Sequence, residues 1–154
     1  MKLRKTVGFI IAMLPFLAQA ESADNGLLTV PSQYSAVETV QLIEKTVTDK
    51  GMTVFALIDH QKAEQDNGLN MPAATVVVFG SPKVGTAMMV ERPTLAIDLP
   101  LKALVWEDQN GKVFVSLNKA EFLGKRHHVP QALSEKLSGA EKLIANTVKE
   151  QSAR

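Results

Sequence analysis

The chain has 154 residues, of which 45% are hydrophobic and 21% are charged, and it contains no cysteine. These proportions are typical of one globular domain with its own core. The formal net charge is +1, but three of the 17 basic residues lie within the first five positions, which leaves 14 against 16 acidic residues, about −2. This balance, with only 5% aromatic residues, argues against nucleic acid binding. The absence of cysteine excludes thiol chemistry and cysteine-based metal sites.

Residues 1–20 contain the three parts of a secretory signal peptide, in order. A basic beginning precedes an apolar run from Val7, and Ala18–Ala20 is typical of a signal peptidase site. The apolar run of about eleven residues is too short to span a bilayer, which takes about 20. We therefore expect cleavage after Ala20 and a mature protein that is soluble in a bacterial periplasm and has no membrane span. Residues 21–29 are expected to form a mostly loose segment.

A short strand is predicted over residues 26–30, and two amphipathic helices follow from apolar residues that recur every three or four positions. The first helix covers residues 36–50 and begins at a capping box formed by Ser35 and Glu38. The second begins near Pro130, which suits the first turn of a helix, and runs to about residue 151. Residues 61–71 form either a short helix or a loop, residues 80–86 a loop, residues 87–91 a single helical turn and residues 119–127 a short helix.

The remaining apolar segments are predicted to be strands. Residues 52–58 are apolar at both odd and even positions, which indicates a well-buried strand, and the β-branched run within residues 73–79 indicates a central one. Residues 95–99 and 101–107 are strand-like and are separated by Pro100, which cannot donate a ladder hydrogen bond.

Asn110-Gly111 is the strongest turn signal in the chain and predicts a hairpin that joins residues 101–108 to 112–117. Its register stays open, because a three-residue loop places Val105 opposite Val115, whereas a two-residue loop places Trp106 there. Together these elements predict an α+β fold. We expect a single two-layer domain over residues 30–151, with a mainly antiparallel sheet and two main helices packed on one face.

Three segments in the middle of the chain resemble the domain of unknown function 302 family. They are Phe79–Thr86, which reads FGSPKVGT, Leu95–Lys102, which contains DLPLK, and Val105–Asp108; the Asp59-His60 pair precedes them. The similarity covers roughly residues 30–150. It implies a small α+β fold with an antiparallel sheet, flanking helices and frequent dimerisation, and it implies no reaction, because the family name records an unassigned function.

Polar and glycine-rich positions near predicted strand ends form a candidate ligand site. Asp59 beside His60 suits an oriented imidazole, or else a helix cap. Gly80 and Gly85 present backbone N–H groups to an anion, or else form a tight turn. The candidate residues are Asp59, His60, Gly80, Ser81, Gly85, Thr86, Asp98 and Lys102.

Asp98 lies in an otherwise apolar segment, where a buried carboxylate needs a partner. The candidates are backbone N–H groups of residues 80–86 and His60. Lys102 stands roughly 13 Å further along a strand and reaches Asp98 only if Pro100 bends the chain. The adjacent His127 and His128 point about 100° apart on a helix and form a poor chelate, so we expect a polar junction, no metal and no cofactor.

Three functions remain open. The first is a non-enzymatic module that binds a small ligand or a protein, and it is favoured because the sequence contains no nucleophile or metal motif. The second is an enzyme that uses His60 with Asp59 or Asp98 as acid–base groups. The third is a homodimeric assembly module that pairs through an edge strand or through the apolar residues 95–105.

Overall fold

A computed structural model describes residues 24–149, so the predicted signal peptide and its cleavage site lie outside the described residues. The five strands are β1 (Leu27–Pro31), β2 (Thr53–Asp59), β3 (Ala74–Gly80), β4 (Leu101–Glu107) and β5 (Val113–Asn118). The helices are α1 (Ala36–Asp49), α2 (His60–Asp66), α3 (Pro82–Glu91), α4 (Ala120–Arg126) and α5 (Gln131–Lys149), with a 3-10 helix at Pro93–Ile97.

The strands form one antiparallel sheet in the order β1-β5-β4-β3-β2. The hairpin predicted at Asn110-Gly111 is present, and Val105 pairs with Val115, the register of the three-residue loop. Asp108 closes this turn, because its carboxylate accepts the backbone N–H groups of Asn110 and Lys112, both at 2.9 Å. β3 lies inside the sheet between β2 and β4, as its β-branched sequence predicts.

Helices α1 and α5 pack together on one face of the sheet, which confirms the predicted two-layer α+β fold. The capping box at Ser35 is formed as predicted, and Ile43 and Val47 of α1 are fully buried against the sheet. Ile144 and Val148 contribute the matching apolar surface from α5. The opposite face of the sheet carries Trp106 stacked on Phe114, with ring centroids 4.9 Å apart.

A second, smaller core lies among α3, the 3-10 helix, α4 and the first half of α5. It joins Met88 of α3, Leu95 of the 3-10 helix, Leu123 of α4 and Leu137 of α5. Leu101 packs against both cores, so β4 begins at the junction between them. The main backbone contacts of α3 are with the 3-10 helix.

Several local predictions are wrong. The strand predicted within residues 52–58 is not well buried: β2 is an edge strand, and Phe55, Leu57 and Ile58 are 49%, 47% and 46% exposed. Residues 95–99 are not a strand, because the 3-10 helix and a cis Leu99–Pro100 bond occupy this segment. Residues 80–91 are not a loop with one helical turn, because α3 runs without interruption from Pro82.

The described part of the N-terminal segment begins at residue 24 and contacts the domain. β1 begins at Leu27 and pairs with β5, and Asp24 forms an ion pair with Lys119 at 2.9 Å. Between residues 24 and 149, no helix combines the length and the apolar character that crossing a membrane requires.

Candidate functional site

A cavity of about 640 Å³ opens where the two cores meet. The turn after α1, β2, α3, the Leu99–Leu101 segment and α5 all contribute to its wall. Pockets that hold small molecules have volumes of about 300–1,000 Å³ and are lined mostly by apolar side chains. The apolar lining residues are Met52, Phe55, Pro82, Val84, Met88, Met89, Leu99, Pro100, Leu101, Leu137, Ala140 and Leu143.

Few polar groups interrupt this lining. Ser81 and Thr86 contribute hydroxyl groups, and Lys50 and Lys136 are the charged residues that line the cavity. No carboxylate lines the cavity among the residues that the structure describes. An apolar body with one polar or negative end therefore fits this wall better than a strongly hydrated ion does.

The sequence around residue 81 explains how α3 comes to form one wall. The Ser81 side chain accepts a hydrogen bond from the Val84 N–H, and Pro82 occupies the first turn, where no intrahelical donor is lost. At Gly85 the position of an added Cβ lies 3.8 Å from Leu99 Cδ1, so the backbone of α3 comes close to the cis-proline segment. Methionines 88 and 89, which adapt their shape readily, then face this space.

Four of the eight predicted site residues, Gly80, Ser81, Gly85 and Thr86, line the cavity. Their backbone does not form the anion loop that the glycines suggested. The Gly85 N–H donates to the Ser81 carbonyl oxygen at 2.8 Å inside α3. These residues thus form part of a mostly apolar wall, to which Ser81 and Thr86 add hydroxyl groups.

Asp59 and His60 stand at the start of α2. The Asp59 carboxylate caps this helix by accepting the Lys62 N–H at 2.9 Å, which is the capping alternative that the sequence left open. His60 is exposed. Neither residue is among those that line the cavity.

Asp98 is bound by residues that the sequence did not connect with it. One carboxylate oxygen lies 2.5 Å from Nε2 of His127 and 3.2 Å from Arg126 Nη1. The other ring nitrogen of His127 lies 3.1 Å from the Thr94 hydroxyl. His127 is buried, and these contacts make it part of a polar junction before α5.

Lys102 does approach Asp98, but through the backbone. Its Nζ donates to the carbonyl oxygens of Asp98 at 3.2 Å and of Pro100 at 3.0 Å. The cis Leu99–Pro100 bond lies in this bend. Asp98 and Lys102 thus hold the bend that leads into the cavity wall at Leu99–Leu101, and no contact between described residues joins Asp98 to His60.

The hydroxyl–imidazole–carboxylate chain of Thr94, His127 and Asp98 ties the 3-10 helix to the end of α4. Arg92 adds a further link between these segments, because its Nε donates to the His128 carbonyl oxygen at 2.9 Å. None of these residues lines the cavity. Their hydrogen bonds instead hold the segment that follows α3 against the end of α4. Among residues 24–149, no group of three or more His, Asp or Glu side chains is placed to hold a metal ion.

Most of the cavity wall consists of residues that no local sequence pattern marks as a site. Met52 and Leu99 lie in segments that the sequence predicts to be strands, and Leu137 and Leu143 lie in the predicted C-terminal helix. Gly139 was the one local signal. A glycine in the middle of α5 costs about 1 kcal/mol relative to alanine, and here it lines the cavity.

The family model described as "Domain of unknown function DUF302" matches residues 28–149. The chain belongs to the DUF302 family. A crystal structure of an uncharacterized conserved DUF302 protein from Bacillus stearothermophilus has the same fold. It superposes with a TM-score of 0.69 at 21% identity, over 81% of this chain and 97% of that one.

Three curated relatives of this DUF302 protein come from Brucella. They are named fluoride-specific ion channel FluC 1 in Brucella suis and Brucella abortus, and FluC 2 in Brucella melitensis. Each is 38% identical over 108 residues, which is 70% of this chain. The match covers 42%, 40% and 40% of the three relatives, so the chain spans about two fifths of their length.

Proposed function

We propose that this DUF302 protein is a non-enzymatic binding module that takes a small, largely apolar ligand into the cavity between α3, α5 and β2. The observation that carries the proposal is an open cavity of about 640 Å³ whose wall consists mostly of apolar side chains. Apolar surface that water can reach is costly, and a ligand that covers it gains about 25 cal/mol per Å². A periplasmic location is part of this proposal, and it is supported by the signal peptide that the sequence predicts over residues 1–20.

The contacts around Asp98 support binding over catalysis. The carboxylate is held by His127 and Arg126, away from the cavity wall, and Asp59 serves as a helix cap. The acid–base cluster around His60 therefore has no described contact that assembles it. A binding module needs only the preformed wall that these contacts stabilise.

Fluorescence titration with a neutral apolar fluorophore, N-phenyl-1-naphthylamine, tests the proposal by measuring its affinity for the protein. We expect saturable binding to the wild-type protein and a loss of at least tenfold in affinity for Gly139→Phe, whose side chain enters open space at the cavity wall. Ala132→Phe, an exposed site on the same helix outside the cavity, is the matched control and should bind as the wild type does. Equal binding by all three proteins would refute the cavity as the site.

The Brucella relatives favour a second candidate, a domain that acts beside a fluoride channel. They carry the name of fluoride-specific channels, and two fifths of their length corresponds to this chain. The apolar cavity is a poor site for fluoride, because a small hydrated anion requires several hydrogen-bond donors. In this candidate function, fluoride is therefore carried by a partner channel protein and does not bind in the cavity. The candidate predicts that deletion of this gene increases fluoride sensitivity, and an unchanged growth limit in fluoride would count against it.

The exposed edge of β2 favours homodimerisation as a further property of the module. Residues 53–58 carry no charge, and an unprotected apolar edge strand readily pairs with another strand. Leu57→Lys should convert a dimer to a monomer in light scattering, since it places a charge on this edge. A wild-type protein that is monomeric at high concentration would contradict the dimer.

A further inference from the structure

The charge at the cavity wall narrows the class of ligand. Lys50 is the C-cap of α1 and Lys136 lies on α5, and both are exposed while lining the same cavity. Within residues 24–149 neither lysine forms an ion pair. The protein thus places two free positive charges beside an apolar space, although the chain without its first five residues has a net charge of about −2.

Resting on the proposed binding function, we infer that the ligand is a single-chain amphipathic anion. Its apolar chain fills the space between α3 and α5, and its carboxylate, or an equivalent acidic head, meets Lys50 and Lys136. A lysine lays its aliphatic stem along apolar surface and keeps its ammonium group in water. The head of the ligand therefore stays solvated at the mouth, where burial does not penalise its charge.

The same wall disfavours a ligand with a positively charged head. A cationic amphiphile would bring its head next to two ammonium groups, and no carboxylate within residues 24–149 lines the cavity to compensate. An uncharged amphiphile would keep the apolar contacts and lose the attraction. Because both lysines are exposed, each contributes only roughly two- to fivefold to affinity, and added salt reduces that contribution.

Calorimetric titration with dodecanoate, dodecanol and dodecylammonium tests the inference on the protein as it is purified from cells. The two ionic amphiphiles are used below their critical micelle concentrations, and dodecanol is used below its solubility limit. We expect dodecanoate to bind about tenfold more tightly than dodecanol, and dodecylammonium to bind most weakly. Lys50→Gln with Lys136→Gln should remove the preference for dodecanoate over dodecanol. Lys45→Gln with Lys142→Gln, two exposed lysines on the same helices outside the cavity, should keep the preference.

The outcomes separate this inference from the proposed function. Equal affinities for dodecanoate and dodecanol in the wild type would overturn the anionic ligand and leave the apolar binding site standing. Failure of all three amphiphiles and of the neutral fluorophore to bind would overturn both. Binding to phosphatidylglycerol vesicles without any binding of dodecanoate monomers would also overturn the inference, because the recognised anion would then be a membrane surface.

Discussion

We predict that the His127 side chain stabilises the fold through its hydrogen bonds to the segment that follows α3. The side chain is 5% exposed, and it binds the Asp98 carboxylate, itself 13% exposed, at 2.5 Å and the Thr94 hydroxyl at 3.1 Å. A hydrogen bond to a charged group contributes about 1.5–3 kcal/mol and a neutral one about 1 kcal/mol. We therefore expect His127→Ala to lower the free energy of unfolding by about 3 kcal/mol.

Urea denaturation followed by fluorescence measures this change, because Trp106 is the single tryptophan of the chain. A double-mutant cycle with Asp98→Ala isolates the pair, and we expect a coupling energy of about 1.5–3 kcal/mol between the two residues. His60→Ala is the matched control, since His60 is exposed, and its effect should stay within about 0.5 kcal/mol. Additive effects of the His127 and Asp98 substitutions, or a loss below about 0.5 kcal/mol for His127→Ala, would refute the reasoning.

Three further predictions concern backbone geometry and pH. Gly139→Ala should raise the free energy of unfolding by about 1 kcal/mol, because the added Cβ meets no atom of the described residues within 4 Å and alanine favours the helix; an unchanged urea midpoint would contradict this. Gly26→Ala should lower it by more than about 1 kcal/mol, because its φ is +75° and a Cβ would lie 2.4 Å from the Phe122 ring; melting temperatures will show this. The backbone N–H of Lys112 holds the pKa of Asp108 below its ordinary value of 3.8. A lowered folded pKa stabilises the fold above the unfolded value, so Asp108→Ala should destabilise at neutral pH and progressively less as the pH falls below 3.8; an effect independent of pH would argue against it.

Local sequence patterns predicted the elements whose determinants are local. The capping box at Ser35 and the turn at Asn110-Gly111 depend on neighbouring residues alone, and both appear in the structure. The Ser81-Pro82 pair carried a comparable signal, since serine caps a helix and proline suits its first turn. The glycine at 80 made this pair resemble a loop, so α3 was missed.

Long-range order decided the rest. An apolar run such as residues 52–58 has the same sequence pattern whether its strand lies inside a sheet or at its edge, and only the strand order places β2 at the edge. Asp98 and His127 are 29 residues apart, and no local pattern connects them. The cavity likewise depends on how α3 and α5 meet, so the sequence identified the residues around Gly80 but not the apolar wall opposite them.

The four methionines after the predicted signal peptide provide the most direct test of the cavity as a binding site. Met52, Met88 and Met89 line it, whereas Met71 does not. Methyl NMR of the methionine-labelled protein, titrated with dodecanoate, should shift the first three signals and leave Met71 in place. Saturable binding that leaves these three signals unmoved, or that moves Met71 alone, would contradict the account.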